Sequence, residues 1–375
     1  MAKKSVLKKI KNIAIQIITV IIIVLVLRPF YTILFSLVPF SISGYIIIQA
    51  VALICFLLQL VIHEFGHLVA GKMSGYKFLW LSIFNITFVK KNKKLMRMSV
   101  DGDGSFGNCL MIPPEMKNGK YPFVFFFLGG SLMNFLVSAI SLALFFIFFP
   151  TYWVFLVFAI FGIFFGIMNI VPINVGNDGH SILKLYKSDT ERRNFWHLCR
   201  YNEDMLIKEM RPRDISAEQL TLLGSKSQGG ENQKDDLDAT AEFLRLSWLI
   251  DRHEFEKAKI FVENLLTTSD DKIALKNEFI RVLLFLELIG ECRKEEIERL
   301  YTKELKKYIK TEAPTILGQV SQYAYAKLFL QDNTQVVKAL KEFNKIALLY
   351  PFVGEIVGGR ELIEIVDKLA MERKK

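Results

Sequence analysis

The stretch FLLQLVIHEFGHLVAG, residues 56–71, sets His63, Glu64 and His67 into an otherwise apolar pattern. Histidines at i and i+4 leave one face of a helix together, at a spacing that lets both imidazoles share one tetrahedral Zn2+. Glu64 stands beside them, where zinc hydrolases keep the general base that takes a proton from metal-bound water. An HExxH on a charged surface helix arises readily by chance. In an apolar helix, each charged side chain near the centre costs about 2.5–3.5 kcal/mol on the insertion scale, so the metal-site reading outweighs the accidental one. A catalytic zinc also needs a third protein ligand and keeps a position for water. The segment MNIVPINVGNDGH, 168–180, offers Asp178 at the end of a second apolar run. Asn-Asp-Gly is turn chemistry in its own right, and Asn177 and His180 are further candidates for the third position.

The elements that must position these residues are apolar and long. Hydrophobic residues make up 52% of the 375, 32 of them Phe, and the mean hydropathy is +0.30, which points to a membrane. Four runs, at 12–37, 44–70, 121–149 and 151–175, are each near or above the about 20 residues that a spanning helix needs. The first follows Lys3, Lys4, Lys8, Lys9 and Lys11, continues to Arg28-Pro29 without a small-residue cleavage site, and reads as an uncleaved anchor. Lys and Arg crowd the N-terminal tail and residues 71–120 but are absent from the short connections near 38–44 and 150–151, which predicts four crossings with both termini cytoplasmic. Tyr152-Trp153 would mark the outer interface, and Tyr76 and Trp80 the inner one. The second run brings His63 about 27 Å across, at 1.5 Å per residue from Tyr45, and the fourth brings Asp178 to the same depth. The net charge of +10 is then a topology signal with attraction to an anionic leaflet. The basic residues flank apolar runs and form no reading face, so nucleic-acid binding is not expected. Cys55, Cys109, Cys199 and Cys292 are scattered and suggest neither a disulfide framework nor a CxxC site.

Taken together, His63-Glu64-x-x-His67, the run GGSLMNF at 129–135, and Asn169-x-x-Pro172 followed by Asp178-Gly179 resemble the site-2 protease family of intramembrane zinc metalloproteases. The resemblance covers about residues 50–185. It implies an endopeptidase that cuts membrane-embedded peptides or single-pass proteins near the cytoplasmic face: signal-peptide remnants, peptide precursors or membrane-bound regulators. It also implies Zn2+ held by His63, His67 and Asp178, Glu64 as base, Asn134 at the substrate and Asn169 at the oxyanion. The family places its aspartate eight residues after the asparagine, which here is Asn177; Asp178 requires a loop one residue longer. Read without the resemblance, the two asparagines could tie helices together, and Gly129 and Gly130 could serve close packing. Pro172 breaks the helix in either reading. Residues 78–100 read as a β-hairpin around a Lys-rich turn on the membrane face. By resemblance, a sheet at this place accepts extended substrate as an added strand; a purely structural hairpin is the alternative. The run DGDGSFGN, 101–108, reads as turn chemistry, since it lacks the spaced ligands of a Ca2+ loop.

The remainder is charged and helical in pattern. The expected organisation is a membrane core over 1–181, juxtamembrane helices and a linker over 182–235 that includes GSKSQGGENQKDD (224–236), and a cytoplasmic helical domain over 236–375. Two helical hairpins place Ala258 and Ala339 in similar contexts 81 residues apart, two periods of about 40. That resembles tetratricopeptide-type solenoids, with a plain bundle as the alternative; a concave solenoid face would capture a peptide tail or a regulatory partner. His197 and His253 have no metal partner at ligand spacing. The expected class is thus mainly α: a polytopic protein of the bacterial plasma membrane, with a small membrane-associated hairpin and a cytoplasmic helical domain. The competing function is a non-catalytic scaffold whose zinc staples the bundle. Metal transport would need further intramembrane ligands, which the sequence does not show.

Overall fold

The computed structural model describes residues 28, 32, 42–83, 86–91, 94–98, 107–148, 152–172, 176–223, 236–268, 275–311 and 315–373. The expected first crossing, 12–37, falls almost wholly outside them. The chain divides into two compact units, Met1–Phe84 with Ser105–Arg192, and Asn85–Gly104 with Arg193–Lys375. It is mainly helical with a small antiparallel sheet component.

The first unit is built on α1 (Ile42–Met73), α2 (Phe123–Ile147) and α3 (Val154–Ile170), which pack against one another. Among the described residues, α1 and α2 are long and apolar enough to cross a membrane; α3, with 17 residues, is shorter than a typical span. The sequence places this last helix at 151–175. It stops earlier because Val171 turns extended, as a residue before proline prefers, and Pro172 cannot donate to the helix. Cys55, Phe145, Leu156, Val157 and Ile160 form a buried cluster from the three helices, and Phe56 packs on Phe161 and Phe165. α1 and α2 approach closely at Gly66 and Gly129: a Cβ on Gly129 would lie 2.6 Å from the Gly66 carbonyl oxygen.

After α1, β1 (Lys77–Ile83) pairs antiparallel with β4 (Gly107–Ile112), from Lys77 opposite Ile112 to Ile83 opposite Gly107, with an irregularity between Phe78 and Trp80. β2 (Ile86–Lys91) and β3 (Lys94–Met98) pair antiparallel, from Thr87–Met98 to Lys91–Lys94. The hairpin expected around the Lys-rich turn is present as β2 and β3, within 78–100. What the sequence does not show is that 77–83 also pairs with Gly107–Ile112, a stretch whose first two residues read as turn. No glycine or proline interrupts 78–89, so two strands read as one run. α4 (Asp178–Lys187) completes this unit, and α5 (Asp189–Leu206) begins in it.

The second unit continues through a 3-10 turn (Pro212–Asp214), α6 (Ala217–Leu223), α7 (Asp236–Asp251), α8 (Phe255–Thr268), α9 (Lys276–Ile289), α10 (Lys294–Leu300), α11 (Lys303–Thr311), α12 (Ile316–Ala324), α13 (Asn333–Ala347) and α14 (Val353–Glu372). α9 is buried along most of its length and packs against α8, α10 and α12. Leu246, Phe279, Phe285 and Phe343 are enclosed in its core.

Two ion-pair groups pin the helices. Arg211 and Arg213 each bond Asp251 and Glu361; buried Glu287 receives Lys259 and Arg293, each at 2.8 Å. The Arg293 hydrogen bonds, helped by Lys259, outweigh burial and bring Glu287 from 4.5 to about 2. Arg211, then Arg213, does the same for Glu361. A carboxyl depressed in the folded state adds stability above its ordinary value, and that stability is lost as pH falls through the depressed one. The helical signal of the detergent-solubilised chain should therefore melt at progressively lower temperature from pH 5 towards pH 2. Glu287→Gln should melt several degrees lower at pH 6 and respond less to acid. A variant with the unaltered pH response would remove Glu287 from this account.

Candidate metal centre

α1 carries His63, Glu64 and His67 on its buried side, at 6%, 7% and 6% exposure. The orientation of His63 follows from a chain of hydrogen bonds across three helices. The Phe158 carbonyl of α3 can only accept, so Gln59 gives it Nε2 at 3.0 Å and turns Oε1 the other way. Asn134 of α2 must then present its amide nitrogen to Gln59, bonding Oε1 at 2.7 Å and the backbone carbonyl at 2.9 Å. Asn134 Oδ1 is left 2.7 Å from His63 Nδ1, which donates to it. His67 Nδ1 likewise donates to the Phe126 carbonyl at 2.9 Å. Both rings are held as Nδ1–H tautomers, and both Nε2 lone pairs are free to bind.

Those lone pairs converge. His63 Nε2 and His67 Nε2 lie 3.2 Å apart, and Asp178 Oδ2 lies 3.0 Å from the first and 3.3 Å from the second. Bonds of about 2.0–2.1 Å to a tetrahedral ion place ligand atoms about 3.3 Å apart. Three acceptors at this spacing repel one another unless a cation sits among them, and the group could hold a metal ion.

Asp178 reaches the histidines because α4 starts against the end of α3. Asn177 Nδ2 donates to the carbonyls of Met168 and Val171 at 2.9 and 2.7 Å, while its Oδ1 caps α4 by accepting from the His180 amide at 2.8 Å. One amide thus serves the end of one helix and the start of the next. A side chain on Gly179 would run into the Ile170 carbonyl oxygen, so only glycine lets α4 start this close to α3. The structure brings Asp178 to the two histidines. It commits Asn177 to the helix ends and leaves His180 outside the metal-binding group.

The other expected site residues are placed as follows. Asn134 is fully enclosed, its amide shared between His63 and Gln59. Asn169 donates to the Phe165 carbonyl of its own helix at 3.1 Å. Glu64 packs against the first residue of β4: a Cβ on Gly107 would lie 2.5 Å from Glu64 Oε1. Gly130 faces the ligands themselves, for a Cβ there would stand 2.6 Å from His63 Nε2 and 2.7 Å from His67 Nε2. Gln59 was missed from the sequence, although an amide four residues before His63 in an apolar helix lies on the same face and is itself the signal.

The relay predicts a graded loss. Asn134→Leu leaves His63 Nδ1–H without an acceptor and should weaken divalent-metal binding about 10–100-fold in a competition titration with a chromophoric chelator. Gln59→Leu spares the His63 contact and should cost less. Equal affinity in all three proteins would show that the relay does not orient the ligand.

Comparison of the chain with protein-family models, with curated proteins and with solved structures found no match.

Proposed function

We propose that the protein is an intramembrane zinc endopeptidase that hydrolyses a peptide bond in membrane-embedded peptides or single-pass proteins near the cytoplasmic face. The convergence of His63, His67 and Asp178 beside buried Glu64, on a helix apolar enough to lie in a bilayer, is the observation that carries this reading. Resemblance of its motifs to the site-2 protease family supports it. The donor set of two neutral imidazoles and one carboxylate suits zinc and leaves a tetrahedral position for water.

Zinc bound there would polarise the scissile carbonyl and make its water acidic enough to ionise near neutral pH. Glu64 takes the proton of the attacking water and delivers it to the amide nitrogen as the C–N bond breaks. Asn134 acts through His63 as a positioning residue. Asn169, at the cytoplasmic end of α3, is the candidate donor to the oxyanion. Extended substrate adds along β4, whose Gly107 backbone lies against Glu64. The proposed topology is four crossings of a bacterial plasma membrane with both termini cytoplasmic, the tail forming a helical-repeat domain.

Purified protein in lipid vesicles with a doubly labelled membrane-embedded peptide tests the reading. Cleavage should stop when chelation removes the metal and return with about one zinc per chain. Cleavage that survives metal removal would sink the metalloprotease assignment.

A further inference from the structure

The three apolar helices of the first unit leave a groove of about 490 Å³ between them, distinct from the metal-binding group. α1 lines it from Val51 to Ile62, α2 from Val137 to Leu144, and α3 through Val154, Phe155 and Phe158. It thus lies at the start of α3, the end remote from Asp178. Ile54, Leu58 and Ile140 are about half exposed, so the groove is open along α1 and α2.

Its chemistry excludes polar ligands. Apart from Cys55 and Ser141, every lining side chain is aliphatic or aromatic. Ser141 Oγ donates to the Phe155 carbonyl at 2.8 Å, and the Gln59 amide beside Leu58 is committed to the Phe158 carbonyl. A peptide or sugar entering here would lose its hydrogen bonds to water and find none in return. Neither 41–62 nor 137–158 contains Asp, Glu, Lys or Arg, so no charge selects a headgroup at the mouth.

Dimensions choose among apolar occupants. At 1.5 Å per residue the groove runs about 16 Å along α1 and about 10 Å along α2. The longer figure is about half of a hydrocarbon core about 30 Å thick, the depth of one leaflet. A volume of about 490 Å³ over those lengths is a cross-section of about 30–50 Å². A transmembrane helix, about 10 Å wide with its side chains, needs about 80 Å². One or two extended hydrocarbon chains, about 15–20 Å² each when neighbours touch at about 4 Å, fit.

We infer that the groove is a binding site for one membrane phospholipid, held by its acyl tails between α1 and α2 against Phe155 and Phe158. The tails supply the dispersion contacts that the groove walls do not make with one another. Tail length, and not headgroup charge, sets the affinity. The site requires α1 and α2 to lie in a bilayer and is independent of the cleavage reaction.

The test uses the full chain in digitonin micelles, whose detergent has no acyl tail, and a dimyristoyl phosphatidylcholine with a photoreactive diazirine in one tail. Photolysis and peptide mapping by mass spectrometry should show saturable labelling of groove residues. Unlabelled dimyristoyl phosphatidylcholine and the anionic dimyristoyl phosphatidylglycerol should compete equally, and dihexanoyl phosphatidylcholine should not compete. Leu58→Trp and Ile140→Trp, which fill the groove from opposite sides, should each cut labelling about tenfold. Leu53→Trp, on an exposed position outside the lining, should leave it unchanged. The dimyristoyl lipid should also raise the melting temperature of wild type but not of Leu58→Trp. Labelling that does not saturate and spreads equally to Leu53 would be bulk lipid contact and overturns the proposal. So do unchanged labelling in both groove variants, a preference for either headgroup charge, or no groove labelling, the result if a protein helix covers it.

Discussion

Gly130→Ala is expected to empty the metal centre and reduce peptide cleavage to background while leaving α1 and α2 folded. The added methyl group would lie 2.6 Å from His63 Nε2 and Cε1 and 2.7 Å from His67 Nε2. Those are ring atoms, held by the bonds to Asn134 and Phe126, and they have no flexible end that can move aside. Either the rings rotate, breaking their Nδ1 bonds, or the methyl occupies the space towards which both lone pairs point. Helix propensity works in the opposite direction, since alanine in a helix interior is worth about 1 kcal/mol over glycine. Loss of metal would therefore come without loss of helix. Gly129→Ala is the control with a different signature: its Cβ meets Ala70 Cβ at 2.5 Å and the Gly66 carbonyl oxygen at 2.6 Å, so it should wedge α1 from α2 and lower the melting temperature. Zinc content by elemental analysis and thermal melting by circular dichroism distinguish the two. Gly130→Ala protein holding about one zinc per chain would remove the claim that this glycine makes room for the ion.

What was legible beforehand followed from periodicity. Two histidines four apart fall on one helix face whatever surrounds them, and Asp178 stood out as the carboxylate at the end of a second apolar run. That Asp178 rather than Asn177 meets the histidines depends on a contact no spacing reveals: Asn177 reaches back to Met168 and Val171. The same limit applies to Asn134. Its type announced a polar task within an apolar helix, but its partner, His63, lies 71 residues away, and the direction of the bond is set from Phe158 on a third helix. The sheet was half legible, because β propensity marks strands and does not assign partners; β1 pairs with β4, which lies beyond the hairpin in sequence. The helical unit showed its amphipathic helices, yet Ala258 and Ala339, alike in context, differ in use. Ala258 is enclosed in the core, whereas Ala339 is only partly buried against it.

Glu64→Gln should retain zinc and slow cleavage about 10²–10⁴-fold, the usual contribution of a positioned general base. Retention follows because Glu64 lies outside the ligand group, whose three atoms come from His63, His67 and Asp178. Folding should survive because glutamine has nearly the same shape, and Gly107 leaves the space that the longer side chain fills. What is lost is the ability to accept a proton: an amide at this position can hydrogen-bond to water but cannot remove its proton. Asp178→Asn gives the complementary result, removing the anionic ligand so that metal and cleavage fall together. A scaffold in which zinc only staples helices predicts a different pair of outcomes, for there Asp178→Asn would lower stability and Glu64→Gln would alter nothing measurable. Equal cleavage of the membrane-embedded peptide by wild type and Glu64→Gln would therefore decide for the scaffold, and zinc-loaded but inactive Glu64→Gln protein would decide for the hydrolase.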